Sequence, residues 1–305
     1  MSHRQWVRKL LILSAVCLGG LALAFGQAGG DSRSSGGNGA GRIVSLSPAT
    51  TEWLYAWGMG AAVVGRTEAC DHPPGAAQRP SVGAFLEPNI AAILQLKPDL
   101  VLVTSDFNPR RVAELTRQVG DVFRLDTSSL EGWHHSLLAL AKRLGVPAHN
   151  LGPLKTLSAW PPADALHARA SGAKGLGYVA WIDQQGSFVA TKSSLIGAFL
   201  ERAGLRNLVD IKQPYPQVSP RYVSSLEPKV VVVFGNSRED VGDLVGPLVP
   251  TPAEMRFIKD AWPRLQPWII KLDGDVFLRP GPRLMTEGWA HIVGRVQALQ
   301  ARHGP

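Results

Sequence analysis

One pattern, present twice, limits the fold more than any other feature of this chain. Asn89 to Val103 reads as a short helical segment, a Lys97-Pro98 break and a continuous apolar run, Leu100-Val101-Leu102-Val103. Arg221 to Val233 repeats that order, with Glu227-Pro228 as the break and Val230-Val231-Val232-Val233 as the run. Proline lacks a backbone N–H and clashes with the turn before it, so each helix must stop there. A strand that is apolar at every position is covered on both faces, the condition of a parallel strand between two helix layers. Each copy then passes through a polar loop and a helix to a second strand. These are Val112 to Gln118 followed by Val122-Phe123-Arg124-Leu125, and Ala253 to Leu265 followed by Trp268-Ile269-Ile270-Lys271-Leu272. With 305 residues available, the economical expectation is two similar α/β lobes with mainly parallel sheets flanked by helices.

The ends of the chain place it in a compartment. Arg4, Arg8 and Lys9 precede an apolar run from Leu10 to Gly26 and then small residues, the order of a secretory signal. We therefore expect a signal peptide over 1–26 and export to the periplasm or the outer face of the cell membrane; an uncleaved anchor is the rival reading. A lipid anchor on Cys17 fits less well, because bulky Val16 precedes it. Residues 27–41 are Gly/Ser-rich without apolar periodicity, a flexible linker. The ordered body begins at the strand Arg42 to Leu46, where Ser47-Pro48 is expected to cap a helix carrying Trp53, Leu54 and Trp57, stopped by Gly58. The N-terminal lobe is then 42–146, a helical connector 147–172, and the C-terminal lobe 173–305, with Pro161 and Pro162 expected to bend or split the connector.

Composition removes several function classes. The formal charge of +8 falls to +5 once Arg4, Arg8 and Lys9 are removed, and the basic residues are scattered, so nucleic acid is not expected as a partner. Cys70 is the single cysteine of the mature chain, which rules out an internal disulfide; beside His72 it gives at most two ligands in one loop, short of a tetrahedral site. The chain has no Gly-x-Ser-x-Gly elbow, phosphate-binding glycine loop, His-Glu-x-x-His or Cys-x-x-Cys, and Gly175-Leu176-Gly177 precedes a strand rather than following one. No catalytic residue, metal site or cofactor is assigned, and a secreted α/β enzyme remains a distant alternative.

The ordered segments resemble a known family: the periplasmic binding proteins of the cobalamin and ferric-siderophore type. The resemblance runs from Arg42 to about Val296. It is carried by Arg42 to Glu52, Val64-Gly65-Arg66-Thr67, Asp71-His72-Pro73-Pro74, Leu96 to Val101, Tyr215 to Ser219 and Asp275 to Arg283. It implies two lobes joined by a rigid backbone helix, a monomer that catches its ligand between them and docks on the permease and ATPase of an ABC importer. A metal chelate is implied as ligand, a corrinoid first, with haem or a ferric siderophore as alternative.

In parallel sheets ligands bind beyond the carboxyl ends of the strands. The segments expected there are Thr67 to Phe85, Thr104 to Pro109, Trp181 to Phe188, Gln213 to Ser219 and Asp273 to Arg279, with Phe107, Phe188 and Phe277 among their aromatics. Phe85, Trp181 and Tyr215 match positions where cobalamin-binding relatives set aromatic rings against the corrin; the alternative is an aromatic of the lobe core, open above all for Trp181 directly after an apolar strand. Asp275 and Arg279 match positions that contact its amides, the one accepting and the other donating; the plain alternative is that they pair with each other. The match departs at Ala69, where those binders have a Tyr, and at Thr104, where one has a Trp. The surface glutamates with which many relatives dock correspond to Ala91 and Arg221, leaving Glu87 and Glu227 nearby as candidate substitutes. Tyr215 or His72 could meet a haem iron, and Arg66 or Arg279 its acidic groups. The histidines show no cluster of the kind a free-metal receptor needs.

Overall fold

A computed structural model of the protein describes residues 41–158, 176–183, 188–235, 250 and 252–303. The expected export signal, the expected linker before Gly41 and the part of the expected connector with Pro161 and Pro162 lie outside the described residues.

Two sheets organise the described chain. In the first, β1 (Ile43–Ser45), β2 (Val63–Arg66), β3 (Leu100–Thr104) and β4 (Val122–Leu125) lie in the order β2-β1-β3-β4, all parallel. In the second, β5 (Leu176–Trp181) pairs in parallel with β8 (Val230–Gly235), and β8 with β9 (Trp268–Asp273). The other edge of β5 is shared: β7 (Leu205–Asn207) joins its first half in parallel and β6 (Val189–Ala190) its second half antiparallel. The fold is thus α/β with mainly parallel sheets flanked by helices.

The repeated pattern is seen in both lobes. Helix Ile90–Gln95 leads into β3 and helix Pro220–Ser224 into β8, and every residue of both strands is buried. Each helix opens on a side-chain cap. Asn89 accepts from the Ala92 N–H and Ser219 from the Tyr222 N–H, satisfying donors that a helix start leaves unpaired. Ser47 behaves differently from expectation. It stands before helix Pro48–Ala56, but its hydroxyl does not cap. Its carbonyl instead accepts from the hydroxyls of Thr50 and Thr51, at 3.0 Å each, and these also meet Ser45 Oγ. The buried hydroxyls thus donate to a carbonyl and leave the helix start without a side-chain cap.

Side chains alternate across a strand, so each sheet has two faces. Val44, Leu46, Val101 and Val103 pack outward with Phe107 and Leu115. In the second sheet Val179, Trp181, Val231 and Val233 pack outward with Ile258 and Trp262. The two remaining faces merge into one apolar core, in which Trp53, Trp57 and Trp133 of the first lobe join Phe199, Phe277 and Met285 of the second. Helix Leu130–Arg143 lies against helix Leu195–Arg202, and the first turns of the connector, Gly152–Ser158, against the π turn Leu284–Gly288. The lobes share a core rather than meeting at a wet seam.

Candidate functional site

At the carboxyl ends of both sets of parallel strands lies a cleft of about 500 Å³, within the range of ligand sites. Its walls are mostly apolar. The first lobe supplies Phe85 and the Pro48–Ala49 helix start, and the second supplies Ile182, Ile196, Tyr215 and Phe277. Thr104 ends β3 at its floor, 3% exposed, with a hydroxyl that has no hydrogen-bond partner among the described residues. A second compartment of about 760 Å³ continues from it, sharing Asp106, Thr127 and Tyr215. Polar residues stand in its walls, among them Ser105, Arg124, Asp126, Ser128 and Gln213.

The turn after β9 carries the contacts between lobes that border the cleft. Arg279 lines the cleft and donates from Nη1 to Asp71 Oδ1 at 2.9 Å, while Nη2 lies 2.8 Å from Asp275 Oδ1. The next residue, Pro280, accepts at its carbonyl from the indole N–H of both Trp53 and Trp133, each at 3.1 Å. Arg283 makes a two-point contact with the buried Glu52. One turn of the second lobe is therefore bound by four side chains of the first.

The five cleft segments read from the sequence all reach this region, but their aromatics divide. Phe85, Tyr215 and Phe277 line the cleft. Trp181 does not: it is 2% exposed, with Phe257 and Trp262 at ring-centroid distances of 4.4 and 5.1 Å, in the outer core of its lobe. Being the last residue of β5, it points across the sheet from its neighbour Ile182, which takes the cleft position. Phe107 is likewise core, and Phe188 is 39% exposed outside both compartments. Asp275 lies in neither wall; its carboxylate holds Arg279. The pairing alternative thus describes Asp275, while Arg279 is both paired and exposed to the cleft. His72 lines neither compartment, and Arg66 donates to the carbonyls of Thr67, Glu68 and Ala77.

Tyr215 is half-buried, and burial pushes its phenol above the ordinary value of 10.0, with the Asp106 carboxylate adding to the rise. Cys70 is buried, its thiol raised chiefly by desolvation and set 3.2 Å from Thr67 Oγ1, the position of a structural thiol. Among the described residues no three His, Cys, Asp or Glu side chains converge. Glu87 and Glu227 are both exposed but not equivalent: Glu87 precedes the helix Ile90–Gln95 on the cleft side, whereas Glu227 follows Pro220–Ser224 at the far end of its lobe.

Thr127 and the Leu195-Ile196 helix start escaped the reading of the sequence, and Asp106 fell within the Thr104 to Pro109 segment without being singled out. Thr127 stands just past β4, so the rule that placed Asp106 beyond β3 could have found it too.

Two α/β lobes that share a core and border a two-compartment cleft have the architecture of a solute-binding protein. The chain belongs to the periplasmic binding protein family, whose family description matches residues 43–243. This is a family of extracytoplasmic binding proteins, not of enzymes. The chain is 28% identical over 256 residues to the vitamin B12-binding protein of Pectobacterium atrosepticum, covering 80% of this chain and 84% of that one. It is 28% identical over 249 residues to the protein of the same name from Yersinia pestis, covering 80% and 82%. Among solved structures it is similar to a periplasmic haem-binding protein of Pseudomonas aeruginosa, at 25% identity and a TM-score of 0.65, covering 84% of this chain and 92% of that one. The fold is also that of the periplasmic vitamin B12-binding protein of Vibrio cholerae, at 24% identity and a TM-score of 0.66, covering 86% and 98%. Among the described residues no helix is long and apolar enough to cross a membrane.

Proposed function

We propose that this chain is the exported binding component of an ABC importer, which captures a corrinoid of the cobalamin class between its lobes and delivers it to the permease. The observation that carries the reading is the cleft itself. Phe85 on one lobe faces a wall of Tyr215, Ile196 and Phe277 on the other, and the polar groups gather at one end. A large ring system with amide arms matches that division: apolar faces meet aromatic walls, and the rim offers hydrogen bonds. The curated relatives bear the name of a vitamin B12-binding protein. In this reading Phe85 and Tyr215 contact the ring, Arg279 donates to a side-chain amide, and Asp275 sets the guanidinium. The protein acts as a monomer, turns nothing over, and presents Glu87 on the cleft side to the permease.

Haem is the second reading, favoured by the phenol of Tyr215 in the cleft and by the similarity to a haem-binding protein of known structure. Iron ligation by tyrosine requires the phenolate, and burial with a nearby carboxylate works against that form here. A corrinoid cobalt arrives with its ring ligands in place and asks for no protein ligand. Titration of the exported protein with cobalamin, haem and a ferric siderophore, followed by calorimetry, tests the choice. The corrinoid reading expects cobalamin to bind at micromolar concentration or tighter; binding of haem alone, with a charge-transfer band lost in Tyr215→Phe, would transfer the assignment to haem.

A further inference from the structure

The end of the first lobe that points away from the cleft is basic. Its strands are parallel, so the amino ends of β1, β3 and β4 share one side, opposite Thr104 and Thr127 at the cleft. Exposed cations gather on that side. Arg42 precedes β1 and Lys97 precedes β3, while Arg117 and the pair Lys142-Arg143 stand in the last turns of helices Pro109–Val119 and Leu130–Arg143. The carboxylates among them, Asp99 and Asp121, are both engaged: Asp121 pairs with Arg143, and Asp99 accepts from the Arg42 backbone N–H at 2.6 Å. Lys97, Arg117 and Lys142 make no ion pair among the described residues. Helix dipoles favour cations in last turns, which accounts for Arg117, Lys142 and Arg143 singly. Lys97 is different. Among the described residues it is the one non-glycine residue with a positive φ, 44°. That left-handed position just past a helix suits glycine, so a lysine is held there at a cost in backbone strain.

We propose that this basic end is a docking face for an anionic lipid surface, the membrane across which export delivers the chain. Charge complementarity is one support. The course of the chain is the other. Residues 1–40, with the apolar run Leu10 to Gly26, join the body at this same end, where Arg42 donates from Nε and Nη2 to the Leu96 carbonyl at 3.0 and 2.8 Å. The body therefore meets the membrane it emerges from with this face first. The length of β3 sets the cleft about 17 Å further out. That is about two screening lengths at physiological salt, so the same charges do not act on the ligand. The cleft then opens away from the lipid for capture, and docking on the permease requires the body to let go and turn over. The inference rests on the export reading and adds a resting orientation to it.

Co-sedimentation of the exported protein with phosphatidylglycerol and with phosphatidylcholine vesicles tests this, because a retained apolar segment would hold to both lipids alike. At low salt the native protein is expected to bind the anionic vesicles at least about a hundredfold more tightly than the neutral ones. The preference should vanish near 1 M salt, where the screening length is about 3 Å. Lys97→Gly with Lys142→Gln should weaken it about twentyfold, roughly fivefold per charge. Arg110→Gln with Arg221→Gln removes as much charge from the cleft side and should cost less than about threefold. Lys97→Gly alone should keep Tm at or above the native value, since glycine accepts the backbone conformation it inherits; binding lost there is not fold lost. Equal binding of the native protein to both lipids overturns the docking face, as does an equal loss in the two double variants. A greater loss in the cleft-side variant overturns the orientation. Recovery of the chain in the cytoplasm of its own cells would instead overturn the export reading on which the proposal rests.

Discussion

Glu52 and Arg283 stand 231 residues apart in sequence and form a two-point ion pair, Nε to Oε2 at 3.0 Å and Nη2 to Oε1 at 2.6 Å. Glu52 is 2% exposed, and Arg283 donates a further bond to the Asp275 carbonyl at 3.1 Å. Gly281 is required beside them, because a Cβ there would lie 2.5 Å from Glu52 Oε2. Two charges removed from water gain little over an apolar pair when matched, but either one left alone is expensive. The pair therefore sets the relative placement of the lobes more than it adds to overall stability.

That asymmetry gives a direct test. Arg283→Leu leaves the Glu52 carboxylate buried without its partner and should cost about 3–5 kcal/mol of unfolding free energy. The double variant Glu52→Gln with Arg283→Leu should recover part of that loss, since the two sites are coupled. Urea unfolding of the three proteins measures both. Equal losses in the single and double variants would show that the pair acts by packing alone.

Trp181 and Tyr215 should separate stability from binding. Trp181 packs edge-on to Phe257 inside the outer core, so Trp181→Ala opens a cavity and should cost about 3–5 kcal/mol with little change in ligand affinity. Tyr215 lines both compartments, and Tyr215→Ala should weaken the bound ligand by about tenfold or more at a smaller cost in stability. Denaturation and calorimetry on each variant distinguish the roles; a large affinity loss in Trp181→Ala would return Trp181 to the binding wall.

Two histidines give the fold a dependence on pH. His291 is lowered from its ordinary 6.5 first by burial and then by the Arg295 charge, against the pull of Asp273. His134 is lowered by burial, then by His135 and Arg202. Below pH 6.5 the unfolded chain takes up protons that the folded chain refuses at these sites. Their contribution is therefore complete above that pH and is lost as pH falls through the lower folded values. Thermal unfolding should show a falling Tm between pH 7.5 and 5.5, and His291→Gln should flatten that fall whatever its effect on absolute stability.

The frame was legible because its signals are local. Leu100 to Val103 and Val230 to Val233 cannot be other than strands covered on both faces, and Pro98 and Pro228 mark where their helices stop. The cleft was legible at loop resolution, since strand ends say where a ligand goes. Which side chains turn into it was not. Trp181 and Ile182 are adjacent, and the alternation of the strand sends one to the core and the other to the cleft. Asp71 was readable as a polar loop residue, yet its partner Arg279 lies 208 positions away, beyond any local pattern. Contacts between lobes depend on how the two units pack, and periodicity within either one says nothing of that.

The merged core bears on how far the lobes can move. Trp53, Trp133, Phe199 and Phe277 belong to one apolar cluster that crosses from lobe to lobe, and the Pro280 carbonyl takes both indole N–H donors there. Wide opening would expose those rings to water and unpair two buried donors and a buried ion pair, a cost no hinge between separate cores would carry. Ligand binding should therefore close the cleft only slightly, by small shifts of loops such as Gln213 to Ser219, which are tied mainly through Pro214 and Pro216 to β6 and its end. Small-angle scattering on the protein with and without cobalamin should give radii of gyration that agree within error. In Arg283→Leu, where one tie between the lobes is cut, the ligand-free radius should rise and cobalamin should bring it back. A marked contraction of the native protein would show that the shared core opens, and that the tryptophan pair at Pro280 is a latch rather than a fixed joint.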